Sequence, residues 1–492
     1  MIPDPDGAGP GAAVRYKEDD SGRYHWHIIE DGSNPDQARS EFPPDHGISK
    51  SLAGKKKGER FYLRRDNVQE RTATVVEIWS KYKLRFNLCM EEWENRFPEH
   101  VFLWKFPVRK DAQGKPNFSV ILKSVDQRIA ETHEREAIYR DNPLSVTNFA
   151  VMTESSVLDA VQHLGARAEL PIRCCHGTDE EYASADAALA NGAPILLDGT
   201  ALASLFITHT YPYLGSLGIP FAVSEGTLQE WRRRYIEKLN SPREGGFLTK
   251  QGDQYVLVQE SDEAVQQRLG EYREFVETIQ RVARVEEGMP LCELDRETRQ
   301  LLINVIGRLA AETIAIARSK GLVLWTDDMC VAGFAAGHGP IPRIWTDAIV
   351  RWGHARGRIP LEVRNDLVLS LVSLGYFYTR VESDIALWAG ERSGWNVGNS
   401  SFDALLNWFS NPYTKREGII ALAGSLVPAI FRNTNAFRSN TAISQLLTKI
   451  AHRPDGMRIL GTLYKNIDAI CGMDVAAARS LKALFRAWRA AR

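Results

Sequence analysis

Ile195-Leu196-Leu197-Asp198-Gly199-Thr200-Ala201-Leu202 is the stretch on which the fold turns. Three apolar residues after Pro194 read as a short buried strand. An acid, a glycine and a threonine follow, and then an apolar pattern of helical period begins at Leu202, Leu205 and Phe206. A carboxylate at the carboxyl end of a buried strand sits where open α/β sheets place their ligands. Burying it is costly unless a metal, an arginine or a helix N-terminus answers its charge. The simpler alternative is that Asp198 only caps the helix that follows, a common use of aspartate.

The same arrangement recurs downstream. Leu322-Val323-Leu324-Trp325 reads as a strand that ends in Thr326-Asp327-Asp328. Ile219 to Val223 reads as another, followed by Ser224-Glu225-Gly226-Thr227 as a helix start that carries Glu230 in its second turn. Arg232-Arg233-Arg234 follow directly. They splay through roughly 200° of a helix, so one or two at most face any one ligand. Glu297 to Lys320 reads as a helix ended by Gly321. Glu312 stands inside its run Leu309 to Ala317, an apolar setting unusual for a solvated acid, although Arg308 at i−4 offers an ordinary surface pair. Ile344-Trp345-Thr346-Asp347 reads as one more strand with a capped helix.

Four acidic points, Asp198, Glu230, Glu312 and Asp327-Asp328, therefore fall at comparable places in a βα pattern. Parallel, adjacent strands would bring them to one sheet edge. Converging carboxylates raise one another's pKa, and the usual resolution is a divalent cation with oxygen ligands, Mg²⁺ or Mn²⁺. Two such ions clamp the attacking water and the leaving oxygen of a phosphodiester.

ILLDGTAL (195–202), AVSEGTLQEW (222–231) and GRLAAETIAIARSKGLVLWTDD (307–328) resemble the acidic motifs of PIN-domain nucleases, of the kind embedded in larger bacterial conflict- or toxin-associated proteins. The likeness covers about residues 191–350, and residues 139–192 resemble the stretch that leads into such domains. It implies a parallel α/β/α core and metal-dependent cleavage of single-stranded RNA. By position it implies Asp198, Glu230, Glu312 and Asp328 as catalytic acids, with Asp327 beside them as a further metal ligand. Thr200, Arg232, Arg233 and Thr326 would serve substrate. Two departures stand out. The third acid of many members lies two residues further upstream, where this chain has Ala310, and Glu225 competes with Glu230 as the second acid. A PIN-like scaffold that no longer cleaves, and a conflict-system regulator held in check by its flanking domains, are the alternatives. A zinc hydrolase using Cys330 and His338 lacks a third ligand.

Around this core the expected organisation is a polar, flexible arm over 1–58, an N-terminal α+β region over 59–190, an insert at about 240–295, and a C-terminal all-helical domain over 351–492. Within the α+β region, Val68 to Phe86 reads as a helix. Basic and aromatic residues interleave from Trp104 to Lys123, a pattern single strands stack on. The 492 residues are 44% hydrophobic and 25% charged, with a formal net charge of −1. That composition is ordinary for a globular protein with full cores, and it leaves nucleic-acid binding to local patches. Six scattered cysteines without a CxxC pair suit a reducing cytoplasm. No apolar run is long enough to span a bilayer, so a cytoplasmic protein with single-stranded RNA and a protein regulator as partners is expected.

Overall fold

A computed structural model describes residues 4–32, 34–65, 70–96, 109–110, 116–167, 169–240, 246–259, 261–337, 339, 341–472 and 474–491. The basic and aromatic segment from Trp104 lies largely outside them, as does His338. The chain divides into two compact units, Met1–Asn117 and Phe118–Arg492.

The first unit overturns the expected flexible arm. Strands Ala12–Glu18, Tyr24–Ile29, Glu41–Phe42, Arg60–Arg65 and Glu70–Ser80 form one five-stranded sheet, with Ala12–Glu18 at its centre. Ala12, Val14, Ile29, Leu52, Phe61 and Val75 close its core. Of the described glycines and prolines that suggested an arm, Pro5, Gly7, Gly9, Pro10 and Gly11 lie just before the first strand, and Gly22, Gly32, Pro35, Pro43, Pro44, Gly54 and Gly58 lie in connections between strands. The helix expected over 68–86 is also corrected. Its apolar residues Val75, Val76, Ile78 and Trp79 lie on strand Glu70–Ser80, and the helix begins only at Lys81. Two consecutive apolar pairs satisfy either period, and pairing with Ala12–Glu18 decides for the strand.

His27 is buried, hydrogen-bonded to Ser49 Oγ at 2.8 Å and stacked on Phe42 with ring centroids 4.5 Å apart.

The second unit is built on a fully parallel sheet: β1 Ile195–Leu197, β2 Phe221–Ser224, β3 Ala283–Glu286, β4 Val323–Trp325 and β5 Arg343–Ile344. Its order is β3-β2-β1-β4-β5. The register aligns Leu196 with Ala222 and Leu324, and Leu197 with Val223 and Trp325. Helices α1 Val146–Met152, α2 Val157–Gly165, α3 Gly199–Ile207, α4 Glu225–Asn240, α5 Asp262–Val282, α6 Arg308–Lys320, α7 Met329–Gly337 and α8 Thr346–Ala355 surround it. Strand residues alternate faces. Leu196, Ala222 and Leu324 pack with Ala310, Ala311, Ile314 and Ala315 of α6 on one side. Leu197, Val223 and Trp325 join the larger core on the other side, with Leu202 and Leu205 of α3.

Two expectations inside this unit change. The stretch read as one helix over 297–320 is two, broken at Gly307, whose φ of 82° a side chain would oppose. The segment 240–295 is not wholly an insert. Its hairpin, Gly246–Gln251 with Gln254–Gln259, is additional, whereas α5 and β3 complete the sheet. The helices after residue 360 share one continuous core with that sheet rather than forming a separate body, and Tyr376–Phe377 pairs with Ile172–Arg173 as a second small parallel sheet. Among the described residues, no helix is long and apolar enough to cross a membrane.

Burial, and secondarily the charge of His46, lowers the His27 pKa to about 4. The unfolded chain, with an ordinary histidine, therefore takes up this proton first on acidification. Stability of the first unit is accordingly full above about pH 6.5 and falls as the pH drops towards 4, by up to about 3 kcal/mol from this group. Hydrogen-exchange protection factors of the Ala12–Glu18 amides, corrected for the intrinsic pH dependence of exchange, should fall over that range in the wild type and less so in His27→Gln; identical profiles would refute the assignment.

Candidate functional site

The strand order reverses direction at β1 and β4, which start from the sheet centre in opposite senses. Ligands of doubly wound sheets bind at such a switch point, outside the carboxyl ends of the strands. Asp198 directly follows β1, and Thr326-Asp327-Asp328 directly follow β4. Asp198, Asp327 and Asp328 are 1%, 1% and 3% exposed, so three carboxylates are packed away from water within two strand ends.

Each is oriented by donors from the protein. Asp198 is the N-cap of α3: its Oδ1 accepts from the Ala201 N–H and from Thr200 Oγ1, both at 2.7 Å. Its Oδ2 accepts from the Thr326 hydroxyl. Thr326 Oγ1 in turn accepts from the Asp328 N–H at 3.2 Å, and Thr200 Oγ1 from the Asp327 N–H at 3.0 Å. The two threonines thus lace β1 and β4 together through the acids. Asp327 Oδ1 accepts from the Thr346 N–H at 2.7 Å, and its Oδ2 from the Thr346 and Ser204 hydroxyls. Tyr376 OH lies 2.7 Å from that Ser204 oxygen. Asp328 Oδ1 accepts from the N–H groups of Cys330 and Val331 at 2.8 and 3.3 Å, at the start of α7. Its Oδ2 accepts from the Val146 N–H at 2.6 Å, at the start of α1.

Burial pushes the Asp198 carboxyl up to about 7 and that of Asp328 up to about 6, against the opposing pull of these hydrogen bonds. Asp327 is raised for the same reason. Arg343, whose charge reaches Asp327 and Asp328, is committed to Glu181 at 3.0 Å and to the Cys174 carbonyl. The acids therefore depend on dipoles rather than on a paired cation.

The other expected residues lie apart from these three. Glu230 is half-buried, with a pKa raised by burial and opposed by a hydrogen bond from the Val157 N–H of α2. Val157 itself packs against the Gly199 position, so a valine stands between Glu230 and the Asp198 turn. Glu312 is buried and accepts from the Gly226 N–H at 3.2 Å. Its carboxylate fills the space beside Gly226 and Gly288, where an added Cβ would meet it within 3.0 Å. Ala310, where many relatives of the motif carry the third acid, is buried against the α6 face of the sheet. Glu225 is exposed. Of the arginines, Arg233 is exposed and pairs with Glu237 at 3.6 Å, Arg232 lies against the Gln280 amide, and Arg234 is held by Asp159 and Tyr272.

A hard divalent cation suits this centre in kind, since every donor is a carboxylate or hydroxyl oxygen and each aspartate keeps one lone pair unused. The five-carboxylate set is not assembled, however. Among the described residues, no group of three or more His, Cys, Asp or Glu side chains is placed to hold a metal ion. Ser204 and Tyr376 were missed by sequence reasoning; Ser204 is one turn beyond Thr200 on α3, and Tyr376 arrives from 172 residues away with no local signal.

Residues 180–336 match the model of a family described as a PIN domain associated with the TPR-GreAB-C-PIN system. That segment holds β1 to β4 and all five expected acids. Over that segment the chain is similar to a PIN domain embedded in a larger protein, and its parallel α/β sheet is consistent with a PIN-like fold. No curated protein and no solved structure matches the chain.

Thr326→Val keeps the side-chain shape but removes the hydroxyl that Asp198 Oδ2 and the Asp328 N–H both use. Loss of that bond should raise the Asp198 pKa further and cost about 1–3 kcal/mol. Because the bond serves the ionised carboxylate, the loss should be larger at pH 8 than at pH 5.5. Urea denaturation at the two values measures this, and an equal or smaller loss at pH 8 would show that Asp198 is not ionised in the folded state.

Proposed function

We propose that residues 180–336 form a metal-dependent endoribonuclease that hydrolyses phosphodiester bonds of single-stranded RNA, with Asp198, Asp327 and Asp328 as its acidic centre. The observation that supports this most is the burial of three aspartates at the switch point with no lysine or arginine among the described residues committed to them. Such a cluster costs folding free energy through desolvation and mutual repulsion. Divalent-cation chemistry is the use that turns that cost to account.

When bound, Mg²⁺ or Mn²⁺ would neutralise these carboxylates and lower the pKa of an attacking water. The chain's own part is positional. Thr200 and Thr326 hold Asp198 from both oxygens, Ser204 and Thr346 hold Asp327, and the start of α7 holds Asp328. Glu312 and Glu230 stand apart from these acids, positioned by the Gly226 and Val157 N–H groups. Their recruitment with substrate would complete the expected set; Arg232 and Arg233 on α4 would serve phosphates rather than the acids.

A second reading, a non-cleaving PIN scaffold that binds RNA or a regulatory partner within a bacterial conflict system, is favoured by Ala310 at the third-acid position and by the protein donors already on every aspartate oxygen. Cleavage separates the two. Incubated with end-labelled single-stranded RNA, the full chain should cut with Mn²⁺ and be silent with EDTA. Asp198→Asn and Asp327→Asn should each reduce the rate at least about a hundredfold while leaving the melting temperature intact or raised, since a buried charge is removed. Binding without cleavage by the wild type would favour the scaffold.

A further inference from the structure

A cavity of about 450 Å³ opens beside Asp328 at the carboxyl end of β4. Phe334, Phe377, Tyr378 and Tyr413 supply aromatic walls, and Arg173 is the cation among its lining residues. The Phe377 and Tyr413 rings lie 4.1 Å apart, tilted by 34°, and Tyr378 adjoins both. Tyr413 is 47% exposed, so a face of this aromatic group is available from solvent. The wall is held rigidly. Phe377 ends the strand paired with Ile172–Arg173, and Tyr378 takes a φ of 64°, unusual for a residue with a side chain. The Gly177 backbone packs so closely on Tyr378 that an added Cβ would stand 3.0 Å away. Arg173 donates to the carbonyls of Arg140 and Asn142 at 3.0 Å each, fixing its charge in place.

We propose that this cavity receives one base of a single-stranded RNA, stacked against Tyr413 and Phe377 beside Arg173. The assignment rests on the nucleic-acid reading of the acidic centre and names how that centre engages its substrate. Volume is consistent with a nucleoside-sized ligand, within the range of ordinary ligand pockets. Aromatic walls match the flat faces of a base, the means by which single strands are held without sequence readout. The Arg173 charge, held beside these rings, decides against a purely apolar occupant, since the carbonyl or phosphate oxygens of a nucleotide answer it and an aliphatic guest does not. Asp328 is also one of the three acids of the proposed centre, so a base seated here brings its own phosphate to the β1/β4 edge.

The test uses the full chain and a short single-stranded RNA carrying 4-thiouridine. After irradiation, crosslinked peptides are mapped by mass spectrometry, and binding is followed by fluorescence anisotropy for the wild type, Tyr413→Ala and Tyr413→Trp. Crosslinks at Phe377, Tyr378 or Tyr413, about tenfold weaker binding by Tyr413→Ala and retained binding by Tyr413→Trp are expected. An RNA of the same length with abasic sites should bind the wild type as weakly as the intact RNA binds Tyr413→Ala. Tight binding with crosslinks elsewhere and no effect of Tyr413→Ala would overturn the cavity while leaving the RNA reading standing. Absence of any RNA binding by the wild type would overturn both.

Discussion

The second unit depends on one constraint: three carboxylates must be buried where two adjacent parallel strands end. Desolvation alone drives such groups towards protonation, and the raised values for Asp198 and Asp328 show that it is only partly offset here. What offsets it is a set of short hydrogen bonds from Thr200, Thr326, Ser204, Thr346 and the first turns of α1, α3 and α7. Because the donors come from α1, α3, α7, α8 and the turn after β4, the acids tie together elements far apart in the chain. The switch point is thus a structural knot as well as a candidate centre.

The surrounding packing serves that knot. The alanine-rich face of α6 lies close on Leu196, Ala222 and Leu324. On the opposite face the core runs without a break into the C-terminal helices, which deliver Tyr376 to Ser204 and hence to Asp327. The helices after residue 360 are therefore part of the support of the acidic centre. A change in their packing has a direct route to the Asp327 carboxylate through a hydroxyl pair.

Much of the sheet was legible in the chain because β1, β2 and β4 are short apolar runs that end abruptly in an acid or a capping residue. β3 was not: α5 passes into Ala283 without a turn residue, and Val282 continues its apolar period. The Ala12–Glu18 strand was hidden because glycines and prolines flank it, although its Ala12, Ala13, Val14 and Tyr16 are apolar and buried. Among the site residues, the aspartates were legible since local strand geometry places them. Glu230 and Glu312 were not, because a glutamate on a helix chooses its partner by tertiary packing. Gly226 and Gly288 make the room into which Glu312 turns, and two glycines after two strands are a faint signal of that.

Thermal melting of the full chain with and without Mn²⁺ tests the central claim most directly, since an ion that binds only the folded state raises its stability. The account predicts a higher melting temperature with Mn²⁺ at pH 7, a shift reduced in Asp327→Asn and in Asp198→Asn. An unchanged melting temperature in the wild type at millimolar Mn²⁺ would contradict it and leave the buried aspartates as a structural knot alone.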